Sequence, residues 1–169
     1  MKGRILLFAG MLLLTSPGYA QGGGSFTMLL TATYDYTTIE HSMGRMLAGG
    51  IDGVATVTES TGDPVAKGTH LYMTCVVNGR RSGGDLHLET SCVGTDTADD
   101  QARLYLSGGR RKGAAKEGGG GSGTVKIAGG AGRFAGLKGT CPYDTVYLKS
   151  NRLVTSANCA WEKVSGGGG

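Results

Sequence analysis

Four cysteines placed to suit two β-hairpins constrain this chain more than any other feature. Cys75 and Cys92 flank one hairpin candidate, and Cys141 and Cys159 flank another. Taking Gly83-Gly84 as a two-residue turn of the primed type that hairpins favour fixes a register in which opposed residue numbers add to 167. Cys75 then faces Cys92, Val77 faces Thr90, and Arg80 faces His87. Cysteines at a non-hydrogen-bonded pair approach to about 4.5 Å between Cα atoms, close enough to bridge. The second hairpin turns through Lys149-Ser150-Asn151, with opposed numbers adding to 300 and Asn151 at a left-handed position. Pro142 cannot donate a ladder hydrogen bond, so it implies a bulge or an edge beside Cys141. Four cysteines allow three connectivities, and the hairpin-local one is expected. The gaps of 17, 49 and 18 residues lack the close pairs of a structural zinc site, so no metal is expected.

Disulfides need an oxidising compartment, and the N-terminus supplies an address. Lys2 and Arg4 precede an apolar run from Ile5 to Leu14, and Gly18-Tyr19-Ala20 offers a small-x-small cleavage pattern. About ten apolar residues are too few to span a bilayer as a helix. Residues 1–20 therefore read as a cleavable signal, and a secreted or periplasmic destination follows as an expectation. Removing those twenty of the 169 residues leaves 149, enough for one domain with its own core. Without Lys2 and Arg4, 15 basic side chains face 13 acidic ones, which gives no reason to expect a nucleic-acid partner or stable membrane insertion. The expected organisation is a flexible segment at 21–24, a β-domain over 25–164 and a glycine-rich tail at 165–169.

Glycine is the compositional outlier, with 33 residues against 3 prolines. Its clusters separate short runs rich in Val, Thr, Leu and Tyr, the pattern of a many-turned β protein. Residues 25–37 alternate, with Phe26, Met28, Leu30, Ala32, Tyr34 and Tyr36 on one face and Thr27, Thr31, Thr33 and Asp35 on the other, Leu29 being the exception. Further strands are expected at 54–60, 70–77, 86–93, 101–107, 124–128, 137–148 and 152–163. Residues 38–46 suit a short helical turn or an irregular crossing, and 108–123 suit a long loop. Eight strands without a βαβ pattern indicate an all-β fold, an antiparallel eight-stranded barrel with two hairpin disulfides.

Gly130-Ala131-Gly132-Arg133-Phe134-Ala135 has the form G-x-G-x-x-A after a strand. A dinucleotide site needs a helix next and an acid about twenty residues on. Gly136, Gly139 and Pro142 oppose the helix, so a glycine-lined turn is expected and no cofactor. The stretch from Gly129 to Gly139 resembles the glycine-rich signature of the allene oxide cyclase barrel-like superfamily, to which plant dirigent proteins broadly belong. The resemblance implies an antiparallel eight-stranded barrel, a lumen able to hold a small apolar molecule, and often a homo-oligomer. The carboxylates used by enzymes of that group map onto no residues here.

Candidate chemistry is sparse. Tyr34, Tyr36, Tyr143, Tyr147 and Trp161 all fall on inward faces and are the candidate ligand-binding residues. Inward aromatics ordinarily fill a core, yet buried tyrosine hydroxyls need partners, and a small barrel can hold one ligand. His70 and His87 are expected on the outer wall, with His41 near the mouth. No G-x-S-x-G elbow occurs. Asp96, Asp99 and Asp100 read as a solvated acidic turn without the ligand spacing of an EF-hand. Arg80-Arg81 and Arg110-Arg111-Lys112 with Lys116 would form an anion-attracting rim if both reached one end of the barrel. The sequence favours a non-catalytic exported module that binds a small apolar molecule or a partner in the cell envelope. A cyclase or dirigent-type enzyme is the alternative, with Asp35 and Glu40 the first acids to check. A structural or inhibitor-like protein acting through its loops is the third reading.

Overall fold

A computed structural model describes residues 22–42, 44–82, 85–113 and 117–164, with backbone alone at 82, 85–86 and 110–113. The candidate signal, the Gly83-Gly84 turn and the 165–169 tail lie outside the described residues. Eight strands follow in order: β1 (Gly23–His41), β2 (Gly44–Ser60), β3 (His70–Ser82), β4 (Asp85–Asp96), β5 (Arg103–Gly113), β6 (Gly120–Ala131), β7 (Leu137–Leu148) and β8 (Arg152–Lys163). Each pairs antiparallel with the next, and β8 returns to pair with β1 from Gly23↔Glu162 to Thr33↔Arg152. The sheet is therefore a closed barrel.

Both cysteine pairs form the expected bridges, Cys75–Cys92 and Cys141–Cys159, each with its Cα atoms 4.0 Å apart. The β3–β4 ladder has the expected register, with Cys75↔Cys92, Val77↔Thr90 and Arg80↔His87 opposed. The β7–β8 ladder runs Leu137↔Lys163 to Leu148↔Arg152 but is interrupted at Cys141 and Pro142, where proline removes a donor. Asn151 is left-handed with φ 53°, and Ser150 shares that conformation at φ 59°.

Three segments depart from expectation. Residues 38–46 are neither a helical turn nor an irregular crossing. They carry the β1–β2 ladder to His41↔Gly44, with Glu40 opposite Arg45. Most of 108–123 is likewise strand, because β5 reaches Gly113 and β6 begins at Gly120. Glycine lacks side-chain packing but keeps both ladder groups, and neighbours on either side satisfy them, as Gly109↔Glu89 and Gly120↔Val146 show. The same holds at the N-terminus, where Gly23 and Gly24 pair with Glu162 and Trp161 instead of staying flexible.

Alternation sorts the wall into two faces. Phe26, Met28, Ala32, Leu71, Met73, Leu104, Leu106 and Ile127 are buried in the lumen, while Thr31, Thr33, Thr74, Asp144 and Asn158 are exposed. Gly53 lets β2 bend across β1, since a Cβ there would strike the Thr31 carbonyl oxygen and Ala32.

Two stability predictions follow from this architecture. Replacing both Cys75 and Cys92 by alanine should cost about 3 kcal/mol by loop closure, read as a lower midpoint in chemical denaturation. Gly53→Val should cost at least ~2 kcal/mol through overpacking, whereas Thr33→Val on the exposed face should stay within about 0.5 kcal/mol. Equal effects at the two positions would contradict the assigned faces.

Candidate functional site

The two ends of the lumen differ. One end is plugged by the β2–β3 and β4–β5 loops and by a short 3-10 turn, Gly132–Phe134. Val65, Ala102, Phe134 and Leu137 are completely buried there. Gly132 takes φ 58°, and a Cβ would crowd the Ala102 backbone, so glycine is needed to fold this corner inward. Arg133 fastens the plug. Its guanidinium pairs with Asp96, donates to Thr69 Oγ1 at 3.1 Å and lies 4.8 Å from the Phe134 ring centroid. Asp96 is buried, and its Oδ1 also accepts from the Ala98 N–H at 2.9 Å.

This corrects the expectation of a uniformly solvated acidic turn. Asp96 is a structural anchor, while Asp99 and Asp100 are exposed and bonded locally to Gln101. The Gly129–Gly139 stretch is the β6–β7 corner that delivers the plug, with no helix behind it.

Beyond the plug, toward the end formed by the four hairpin tips, the lumen holds a cavity of about 80 Å³. Its inner part is lined by Met28, Met73, Ala55, Leu106, Ala157 and the Cys75–Cys92 bridge. Val77, Leu88, Ile51 and Leu153 continue the apolar wall. The polar residues of the lining are Tyr36, Tyr143, Tyr147, Thr90, Thr145 and Thr155. Thr145 and Thr155 face each other across β7–β8 with their hydroxyl oxygens 2.7 Å apart. Among the described residues no carboxylate or imidazole lines the cavity.

The candidate aromatics divide. Tyr36, Tyr143 and Tyr147 line the cavity. Tyr34 stands behind them, with its ring centroid 4.9 Å from Tyr36 in a stacked arrangement and 5.0 Å from Tyr147 edge-on. Its N–H donates to the Asn151 carbonyl at 2.9 Å, tying the β7–β8 loop to β1. Trp161 is not at the cavity. Although it shares the inward face, it lies at the plugged end beside Gly24, because eight residues of β8 separate it from Leu153. The threonines are not among the sequence candidates, because a threonine suits either face of a strand and its residue type does not mark it as part of a site. Their positions were legible all the same: Thr145 continues the period of two from Cys141 through Tyr143 to Tyr147.

Asp35 is exposed, and so is Glu40, which accepts from Arg45 Nε at 2.6 Å. His70 and His87 are exposed as expected, with a His70 ring nitrogen 2.9 Å from Thr56 Oγ1, and His41 is exposed near the mouth.

Burial first, then the neighbouring Tyr147 and Glu117, push the Tyr34 phenol above its ordinary value of 10.0. A raised phenol pKa stabilises the fold fully below about pH 10. That contribution is lost as pH rises through the higher folded-state value, because the unfolded chain ionises first. Unfolding midpoints measured from pH 8 to 11.5 should therefore fall more steeply for the wild type than for Tyr34→Phe; parallel curves would remove Tyr34 from the shielded cluster. No protein-family model matches this chain, and neither a curated protein nor a solved structure matches it.

Proposed function

We propose that this protein is an exported binding module whose lumen cavity holds one small, largely apolar molecule. The observation that carries the reading is the cavity itself: about 80 Å³ of space walled mainly by apolar side chains, the polar ones among the described residues being tyrosines and threonines. Pockets of this composition bury an apolar body and use a few hydroxyls to fix its orientation. An eight-stranded barrel has an interior that side chains can just fill or that can hold one small ligand, and here the filling is incomplete.

Export is supported by the two disulfides, which persist in oxidising compartments, and by the candidate signal at 1–20. A barrel standing in water is supported by the outer wall. It mixes exposed threonines, aspartates and asparagines with apolar side chains such as Leu29, Tyr72, Val76 and Val146, whereas a membrane-spanning barrel needs an apolar outer band. The antiparallel eight-stranded architecture also supports placing the chain in the allene oxide cyclase barrel-like superfamily on its Gly129–Gly139 stretch.

A cyclase-type reaction in this lumen has less support. General acid–base work needs a proton-transfer group within hydrogen-bond reach of the reacting atom. Asp35 and Glu40 are exposed, and neither lines the cavity.

Mass spectrometry of the natively purified protein should find a small apolar molecule released on denaturation. Ala157→Leu, which fills the inner part of the cavity, should abolish its retention while leaving the far-ultraviolet spectrum unchanged. Retention by Ala157→Leu equal to that of the wild type would place the bound molecule elsewhere and overturn the assignment.

A further inference from the structure

The wall between the cavity and the rim carries an arginine, Arg81, that no carboxylate answers among the described residues. Val77 lines the cavity, and alternation along β3 places Gly79 and then Arg81 above it on the inner face. On β2 the same alternation runs from Ile51 through Gly49 and Leu47 to Arg45. The ladder sets Arg45 directly opposite Arg81, and like charges in that relation repel.

Glu40, opposite Arg45 on its other side, neutralises one of the two. Among the described residues no carboxylate pairs with Arg81. Glu117 sits on the Tyr34 side, Glu89, opposite the outward Asn78, belongs to the outer face, and Asp85, opposite Ser82, is one ladder position off the inner-face pair Arg81↔Leu86. The β5–β6 hairpin ends at this same rim, with Arg111 opposite Gly123. Among the described inner-face side chains at this rim, Glu40 offsets Arg45 and leaves the charge of Arg81 above an apolar pocket that is sealed below.

A guanidinium presents a planar fork of donors that matches a carboxylate in two parallel hydrogen bonds. From Val77 to Arg81 the strand rises roughly 13 Å, a span shared between the arginine side chain and whatever reaches up from the cavity. We infer that the ligand class is a short-chain monocarboxylate of about six to eight carbons, its tail in the cavity and its carboxylate on Arg81. This rests on the reading of the cavity as a binding site. It adds the sign of the ligand's charge and the residue that selects it.

Calorimetric titration of the signal-less, oxidised protein with octanoate and with octan-1-ol separates the two readings. Octanoate should bind at least about tenfold more tightly at low salt, an advantage that shrinks as salt screens the rim. Arg81→Gln should bring octanoate to the level of octanol and leave octanol unchanged, which also certifies that the variant is folded. Arg80→Gln, on the outer face, should alter neither. Equal binding of acid and alcohol to the wild type would overturn the carboxylate assignment and leave the cavity reading standing. Binding of neither would overturn both.

Discussion

The pairing of β8 with β1 is the contact on which the rest of the molecule depends. Eleven opposed residue pairs, Gly23↔Glu162 to Thr33↔Arg152, close the sheet. Closure removes both free edges, which would otherwise expose unpaired backbone groups to other strands. It also sets the circumference, and with it the volume that inward side chains must fill. Every inward position inherits its meaning from that geometry. A Leu, Met or Cys on the inner face contacts residues from across the barrel as well as its ladder neighbours.

Within that fixed volume, large and small side chains are unevenly distributed. The plugged end holds Phe26, Leu71, Leu104, Phe134, Leu137 and Trp161. The other end mixes Met, Leu and Tyr side chains with the smaller Ala55, Ala157, Thr90, Thr145, Thr155 and the Cys75–Cys92 bridge, and space is left among them. The tyrosines lean on one another toward the rim: Tyr34 stacks on Tyr36 and meets Tyr147 edge-on. The cavity thus comes from a mismatch between circumference and side-chain volume. The two disulfides contribute differently. Cys75–Cys92 borders the empty space, while Cys141–Cys159 is sealed in the core beside Phe26 and Ala157.

Much of the fold was legible because strand alternation and hairpin registers are local properties. The faces of β1, β3, β7 and β8, the opposition of Cys75 with Cys92 and the interruption at Pro142 all came from spacing and turn chemistry. The glycine-rich stretches at 108–113 and 120–123 were not legible as strand. Glycine gives no alternation to read, and their pairing comes from ladders with β4 and β7. Trp161 shows the limit for the candidate site. Its inward face was apparent, but its height along the barrel axis was not, and height separates the core from the cavity wall.

The sequence by itself determined which side chains of β1, β3, β7 and β8 point inward, which cysteines pair and how the β7–β8 hairpin turns, because these depend on residues close along the chain or directly opposed across one turn. Only the tertiary structure decided that Arg133 pairs with Asp96 from a corner 37 residues away, that the plug occupies one end and that the other end keeps a cavity of about 80 Å³. Those outcomes depend on how eight strands share one closed circumference. No segment specifies its distance to the opposite wall, so the empty space exists only once the barrel is closed.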